Sequence, residues 1–212
     1  LLVLYLVSTG ASSLFAVKDA GLLGAALALA LSGSGFLSLE GFLAGWSPVR
    51  RMAAAARPRL ARFGPLFLRL GLATVFLWSG VNMLTHLEAT ARELVETRVI
   101  PNWPLINQIS PLVLVYWLGI GHVVVAAMLL VGLLTQPTAA IACIFIAVLM
   151  ARLGVFTLAM VKDVALLGAA LSLAAMGAGA LSLDGLARRL IDALRGRPAP
   201  FAARGEEARS RF

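Results

Sequence analysis

Few residues in this chain could do chemistry, and the first is His122. It stands inside a long apolar run, PLVLVYWLGIGHVVVAAMLLVGLL, from Pro111 to Leu134. At about 1.5 Å per residue it lies roughly 16 Å into that run, near the middle of a bilayer core about 30 Å thick. An ionisable side chain at that depth is a functional candidate, as a haem ligand, a quinone hydrogen-bond partner or a proton relay. The structural alternative is a neutral imidazole bonded to a neighbouring helix, which Gly119 and Gly121 would let approach closely. The other histidine, His86, falls at the outer end of its own run, so a bis-histidine haem within this chain is not expected.

Two Lys-Asp dipeptides come next, Lys18 with Asp19 and Lys162 with Asp163. From Asp163 to Ser182 is about 30 Å of helix, so each pair is expected at the outer entrance of a span, as an anchor. Asp at a helix start is favoured by the macrodipole, and Lys beside it can snorkel. Arg152 could pair with Asp163 across a hairpin, although Ser8 occupies the matching place ahead of Lys18 and Asp19. Arg69, one turn into its span, is expected to snorkel to the surface. Trp78 and Trp117, both within spans, read first as packing residues, and Trp117 and Trp103 are the candidate quinone contacts beside His122. Cys143, the single cysteine, is expected to be a small buried hydrophobe. One cysteine excludes an internal disulfide, a CxxC redox pair and a Cys-ligated iron–sulfur or zinc site made by this chain alone, so no metal site is expected. There is no phosphate-binding glycine loop, HExxH or nucleophile elbow.

The elements that must position these residues follow from composition. Of 212 residues, 60% are hydrophobic and 13% charged, with a mean hydropathy of +0.93. That excludes an ordinary soluble domain and predicts an all-α polytopic transmembrane bundle. The formal charge of +8 reads as orientation and contact with anionic lipid, not nucleic-acid binding. The chain opens with Leu and carries no basic leader before its apolar run, which reads as the inside of a longer gene product.

The sequence also repeats itself. KDAGLLGAALALALSGSGFLSLEGF, from Lys18 to Phe42, realigns with KDVALLGAALSLAAMGAGALSLDGL, from Lys162 to Leu186, at an offset of 144. The shared Lys-Asp, Gly-x-Gly and Ser-Leu-acid-Gly marks read as a duplication. Six spans are expected, near Leu1–Val17, Asp19–Leu37, Pro65–Leu87, Pro111–Leu134, Pro137–Thr157 and Asp163–Ser182. The last four make a complete unit, and the first two match only its second half. The expected organisation is therefore the end of a first unit over 1–42, a basic linker over 43–63, a complete four-span unit over 64–186, and an amphipathic helix end with a basic tail over 187–212.

Arginines set the orientation. Arg50, Arg51, Arg57, Arg59 and Arg62 in the linker, and seven more in the tail, put both on the cytoplasmic side. The loop from His86 to Ser110 then lies outside. Within it Glu88, Arg92 and Glu96 share one helical face and Leu87, Leu94, Val95 and Val99 another, which predicts a short surface helix ending before Pro101, with Trp103 at headgroup depth. Ser182 and Ser38 are candidate N-caps. Behind Ser182, Leu183, Leu186, Leu190, Ile191 and Leu194 recur at helical spacing between arginines, as in an interfacial helix. Gly24, Gly168, Ala169 and Ala170 are expected to mark a close packing face, and the tail from Arg197 to be disordered.

Three segments carry a resemblance: RLGLATVFLWSGVNMLTH (Arg69 to His86), LGIGHVVVAAMLLVGLLTQPTAA (Leu118 to Ala140) and KDVALLGAALSLAAMGAGALSLDG (Lys162 to Gly185). In them the chain resembles the DoxX/DoxD family of small four-span bacterial membrane proteins, here as tandem DoxX-like four-helix units with the first incomplete. Family members commonly have an acidic residue where this sequence has His122. The family includes the membrane subunit of thiosulfate:quinone oxidoreductase. The resemblance therefore implies a multi-pass protein of the bacterial inner membrane partnered by other membrane or periplasmic redox subunits, to which the arginines add a cytoplasmic C-terminus and contact with anionic lipids. The expected role is to anchor or stabilise a quinone-linked electron-transfer complex, with quinone as the possible cofactor and none covalently bound. The alternatives are the quinone-reducing subunit of a thiosulfate dehydrogenase and a small-solute transporter. Whether the chain is itself an enzyme stays open.

Overall fold

The computed structural model of the chain describes residues 14–32, 63–96, 108–153, 158–177, 179 and 181–195. Trp103, Ser38, Val99, the linker over 43–62, the tail from 196 and nearly all of the expected first span lie outside the described residues, as does the side chain of Arg152. Among the described residues the chain forms helices and no strand. They are α1 (Leu14–Ser32), α2 (Gly64–Thr85), α3 (Leu87–Glu96), α4 (Pro111–Val131), α5 (Thr135–Leu153), α6 (Leu158–Met176) and α7 (Leu183–Leu194).

Two of these, α2 with 22 residues and α4 with 21, are long and apolar enough to cross a membrane. At 1.5 Å per residue they rise about 33 and 31 Å. Both begin on a proline in the first turn, where the missing N–H costs no intrahelical bond. α1, α5 and α6, at 19 residues each, rise about 28 Å. Large apolar side chains such as Leu29, Trp117, Ile144 and Leu171 stand on the outside of the bundle. Exposed apolar surface on that scale needs a cover, and lipid supplies it.

Helix ends depart from the sequence expectation at both ends of α6 and in α1. α6 starts at Leu158 and stops at Met176, so Lys162 and Asp163 lie just past its first turn rather than at its entrance. Gly177 and Gly179 both adopt positive φ (76° and 73°), which ends the helix six residues before Ser182. α1 likewise runs through Val17, Lys18 and Asp19 without the expected break. No proline interrupts it, and both charges find partners there, so no helix end is needed to solvate them.

α1 packs on α2 and α6, α2 on α4 and α6, α3 on α4, α4 on α5, and α5 on α6. The shared core holds Leu72, Phe76, Leu129, Ala142, Leu166 and Leu173. α1 and α2 approach each other closely. A Cβ on Gly24 would meet the Phe67 carbonyl oxygen at 2.7 Å and the Gly71 Cα at 2.8 Å, so only glycine lets these backbones touch. Gly168, at the matching position of α6, has nothing within 4 Å of such a Cβ. The expected packing face is present at Gly24 and in the buried Ala169 and Ala170, but Gly168 is not part of it.

At one end of the bundle the Ser-Leu-Asp-Gly segment ties three turns together. Ser182 caps α7, accepting from the Gly185 N–H at 3.0 Å. Asp184 accepts from the Leu134 and Thr135 N–H groups, each at 2.8 Å, and so caps α5. Arg69 does not snorkel. It is 1% exposed, it donates from Nη2 to the Leu181 carbonyl, and the carboxylate of Asp184 favours its charge. Gly132, which closes α4 at φ 71°, makes the room, since a side chain there would collide with the guanidinium. α7 follows, with Leu190 and Leu194 exposed along it, and runs across the expected boundary at 186.

Candidate functional site

The opposite end carries the two Lys-Asp dipeptides. α1 and α6 run parallel with their Lys-Asp dipeptides level, and each lysine reaches across to the other helix's aspartate. Lys18 Nζ lies 2.7 Å from Asp163 Oδ1 and donates to Oδ2 at 2.8 Å. Lys162 Nζ lies 2.6 Å from Asp19 Oδ1. Asp163 thus pairs with Lys18 from the matching segment 145 residues away, while the expected pairing with Arg152 lies outside the described residues. A parallel register explains the exchange. Neighbouring residues on each helix project in different directions, so Lys of one meets Asp of the other at the same level.

Lys18 and Asp163 also line a cavity of about 160 Å³, together with His122 of α4, Phe76 of α2, Phe145 of α5 and, from the surface helix, Leu94 of α3. α3 forms where the sequence expects it, and it packs on α4 with Ala91 buried. Leu94 and Asp163 bring α3 and α6 to one space, so the cavity gathers five of the helices beside α1.

His122 sits among rings. Its centroid is 5.2 Å from that of Phe76 with the planes 28° apart, and 4.8 Å from that of Phe145 at 41°. Nδ1 lies 2.8 Å from the Leu118 carbonyl, one turn back on its own helix. A carbonyl only accepts, so Nδ1 carries the hydrogen, and in the neutral ring Nε2 holds the lone pair. The neighbouring-helix bond that the sequence allowed for is not what the imidazole makes. Nε2 is left as the nitrogen that a ligand hydroxyl or a proton can use.

The structure thus brings together His122, Lys18 and Asp163 of the residues singled out in the sequence. Asp19 and Lys162 form their own pair at the bundle surface. Trp117 does not join the site. It is 64% exposed, edge-on to Tyr116, one turn from His122 yet on the outer face of α4. Cys143 is half-buried against the core. Sequence reasoning missed Phe76, Phe145 and Leu94. It also missed the crossing of the two ion pairs, although the signal was there, since two level copies of Lys-Asp on parallel helices can satisfy each other. Among the described residues no three His, Cys, Asp or Glu side chains gather as a metal site.

No curated protein matches the chain, and no solved structure does. Residues 64–158, from the first residue of α2 to the first of α6, do match the family model DoxX. The described helices and the apolar composition are those of an α-helical membrane protein, and it is as a DoxX-type membrane segment that residues 64–158 are identified.

Proposed function

We propose that this chain is the membrane subunit of a quinone-linked redox assembly, anchoring its partners and itself offering the quinone ring a site. The cavity beside His122 carries this reading. At about 160 Å³ it matches the size of cavity that accepts a single six-membered ring. Phe76 and Phe145 supply faces against which a flat ring can stack, and Nε2 of His122 can accept a quinol hydroxyl. The duplication read in the sequence, the inner-membrane location and the cytoplasmic C-terminus belong to the same proposal. The last two rest on the arginines of the linker and tail.

The test is mass spectrometry of the complex purified in mild detergent from its native membrane, identifying proteins and bound small molecules together. The expected result is a quinone retained with the chain and redox subunits in fixed ratio. Recovery of the chain with neither overturns the proposal.

A further inference from the structure

The Lys18–Asp163 pair is more deeply buried than an anchor needs to be. Its side chains are 7% and 5% exposed, whereas the sister pair, Lys162–Asp19, holds the same two helices together with 21% and 60% exposed. Taking two charges out of water is costly, and their mutual attraction often does no more than offset that cost. A buried pair facing a cavity that also contains an imidazole therefore needs a reason beyond packing.

We infer that Lys18 and Asp163 form the polar end of the ligand site, binding a ring oxygen of the quinone while the ring lies toward His122. The inference rests on the function proposed above and adds to it the residues that recognise the oxygen. Lys18 has three N–H donors, and the pair with Asp163 occupies at most two of them. The remaining donor can bond a quinone carbonyl. A carboxylate oxygen of Asp163 has lone pairs beyond those that Lys18 engages and can accept from a quinol hydroxyl. One ion pair thus serves both redox states without moving a charge, because it presents a donor and an acceptor side by side. The lysine comes from α1 and the aspartate from α6, so the site is complete only when the segment upstream of residue 64 packs against α6. The sister pair faces the bundle surface, so the arrangement supports one such site, at Lys18.

Binding to the full chain in detergent tests this, with decylubiquinone and menadione as probes and thermal unfolding measured on the same samples. The wild-type chain is expected to bind at least one probe, and Lys18→Met to weaken binding about tenfold, the loss of one charge-assisted hydrogen bond. Asp19→Asn is expected to stay within about twofold, as for an exposed pair. Because Lys18→Met can fail to fold, the exchange of Lys18→Asp with Asp163→Lys serves as the second variant. It is expected to keep the pair and the melting temperature while moving the ammonium to α6 and the carboxylate to α1, away from the positions that meet the ring oxygen, so binding is expected to weaken about as much as in Lys18→Met. Wild-type affinity in the exchanged variant means the pair is structural and overturns the inference, leaving the quinone reading intact. Absence of binding by the wild-type chain overturns that reading, and the inference with it. Should neither variant fold, infrared spectra of the probe on the wild-type chain decide. The carbonyl stretch moves to lower frequency if Lys18 donates to it, and an unshifted stretch overturns the inference.

Discussion

The same dipeptide, on two matching helices, ends up in two environments. Lys18 of α1 and Asp163 of α6 are buried against the cavity, while Asp19 of α1 and Lys162 of α6 lie at the surface of the bundle. The difference cannot come from the dipeptide itself. It comes from what each helix packs against. α1 presses its Gly21 and Gly24 onto Gly71 of α2, whereas the matching face of α6 at Gly168 is open. Asymmetric neighbours have turned a repeated motif into one interior pair and one exterior pair, and only the interior pair is close to His122. Identical residues in a repeat therefore need not share a role, because burial and not sequence decides what a charge costs.

The largest effect that could break this comparison is the loss of one partner from the interior pair. Asp163→Asn leaves the Lys18 ammonium buried without its counter-charge, and removing one member of a buried pair costs about 3–5 kcal/mol. The expected result is a clear drop in the melting temperature of the detergent-solubilised chain. A double-mutant cycle with Lys18→Met should show strong coupling between the two sites. Coupling no larger than that between Asp19 and Lys162 would mean that the burial difference has no energetic content.

A second, smaller effect tests the packing held responsible for the asymmetry. Gly24→Val forces a side chain into the backbone of α2, and overpacking of that kind costs about 1–3 kcal/mol. Gly168→Val, at the matching place in α6, enters open space and should change stability by less than about 0.5 kcal/mol. Equal responses from the two glycines would refute the account of why only one pair is interior.

How much of this was legible in the sequence depends on whether a residue's own neighbours along the chain decide its place. α2 and α4 were legible because a proline opens each apolar run. Ser182 was legible as a cap because it follows the Gly-x-Gly break, and α3 because its charges share one face. The stop at Met176 was not, since apolar letters continue beyond it and the left-handed glycines win over hydropathy. Arg69 was misread because snorkelling considers one helix alone. Its burial needs the missing Cβ of Gly132 on α4 and the Leu181 carbonyl, both far away in sequence. At the site, His122 stood out because a charge-capable group is rare at that depth. Phe76, Phe145 and Trp117 could not be sorted, because a helix that is apolar all round carries no stripe to show which face is interior.

The smallest expected effect sharpens the comparison from the other side. Asp19 is 60% exposed in its pair with Lys162, and exposed ion pairs are typically worth about 0.2–1 kcal/mol. Asp19→Asn should lower the melting temperature by a correspondingly small amount, and that difference should shrink as salt is raised, since the screening length falls to about 3 Å at 1 M. The effect of Asp163→Asn should persist at the same salt concentration, because ions do not reach a pair enclosed by α1, α6 and the cavity wall. The two substitutions alter the same residue type, on paired lysines, at one level of the bundle, so a difference in salt response isolates burial as the cause. If raising the salt erased both effects alike, the interior pair would have to be open to solvent, and its assignment to the buried polar end of a ligand site would fall with it.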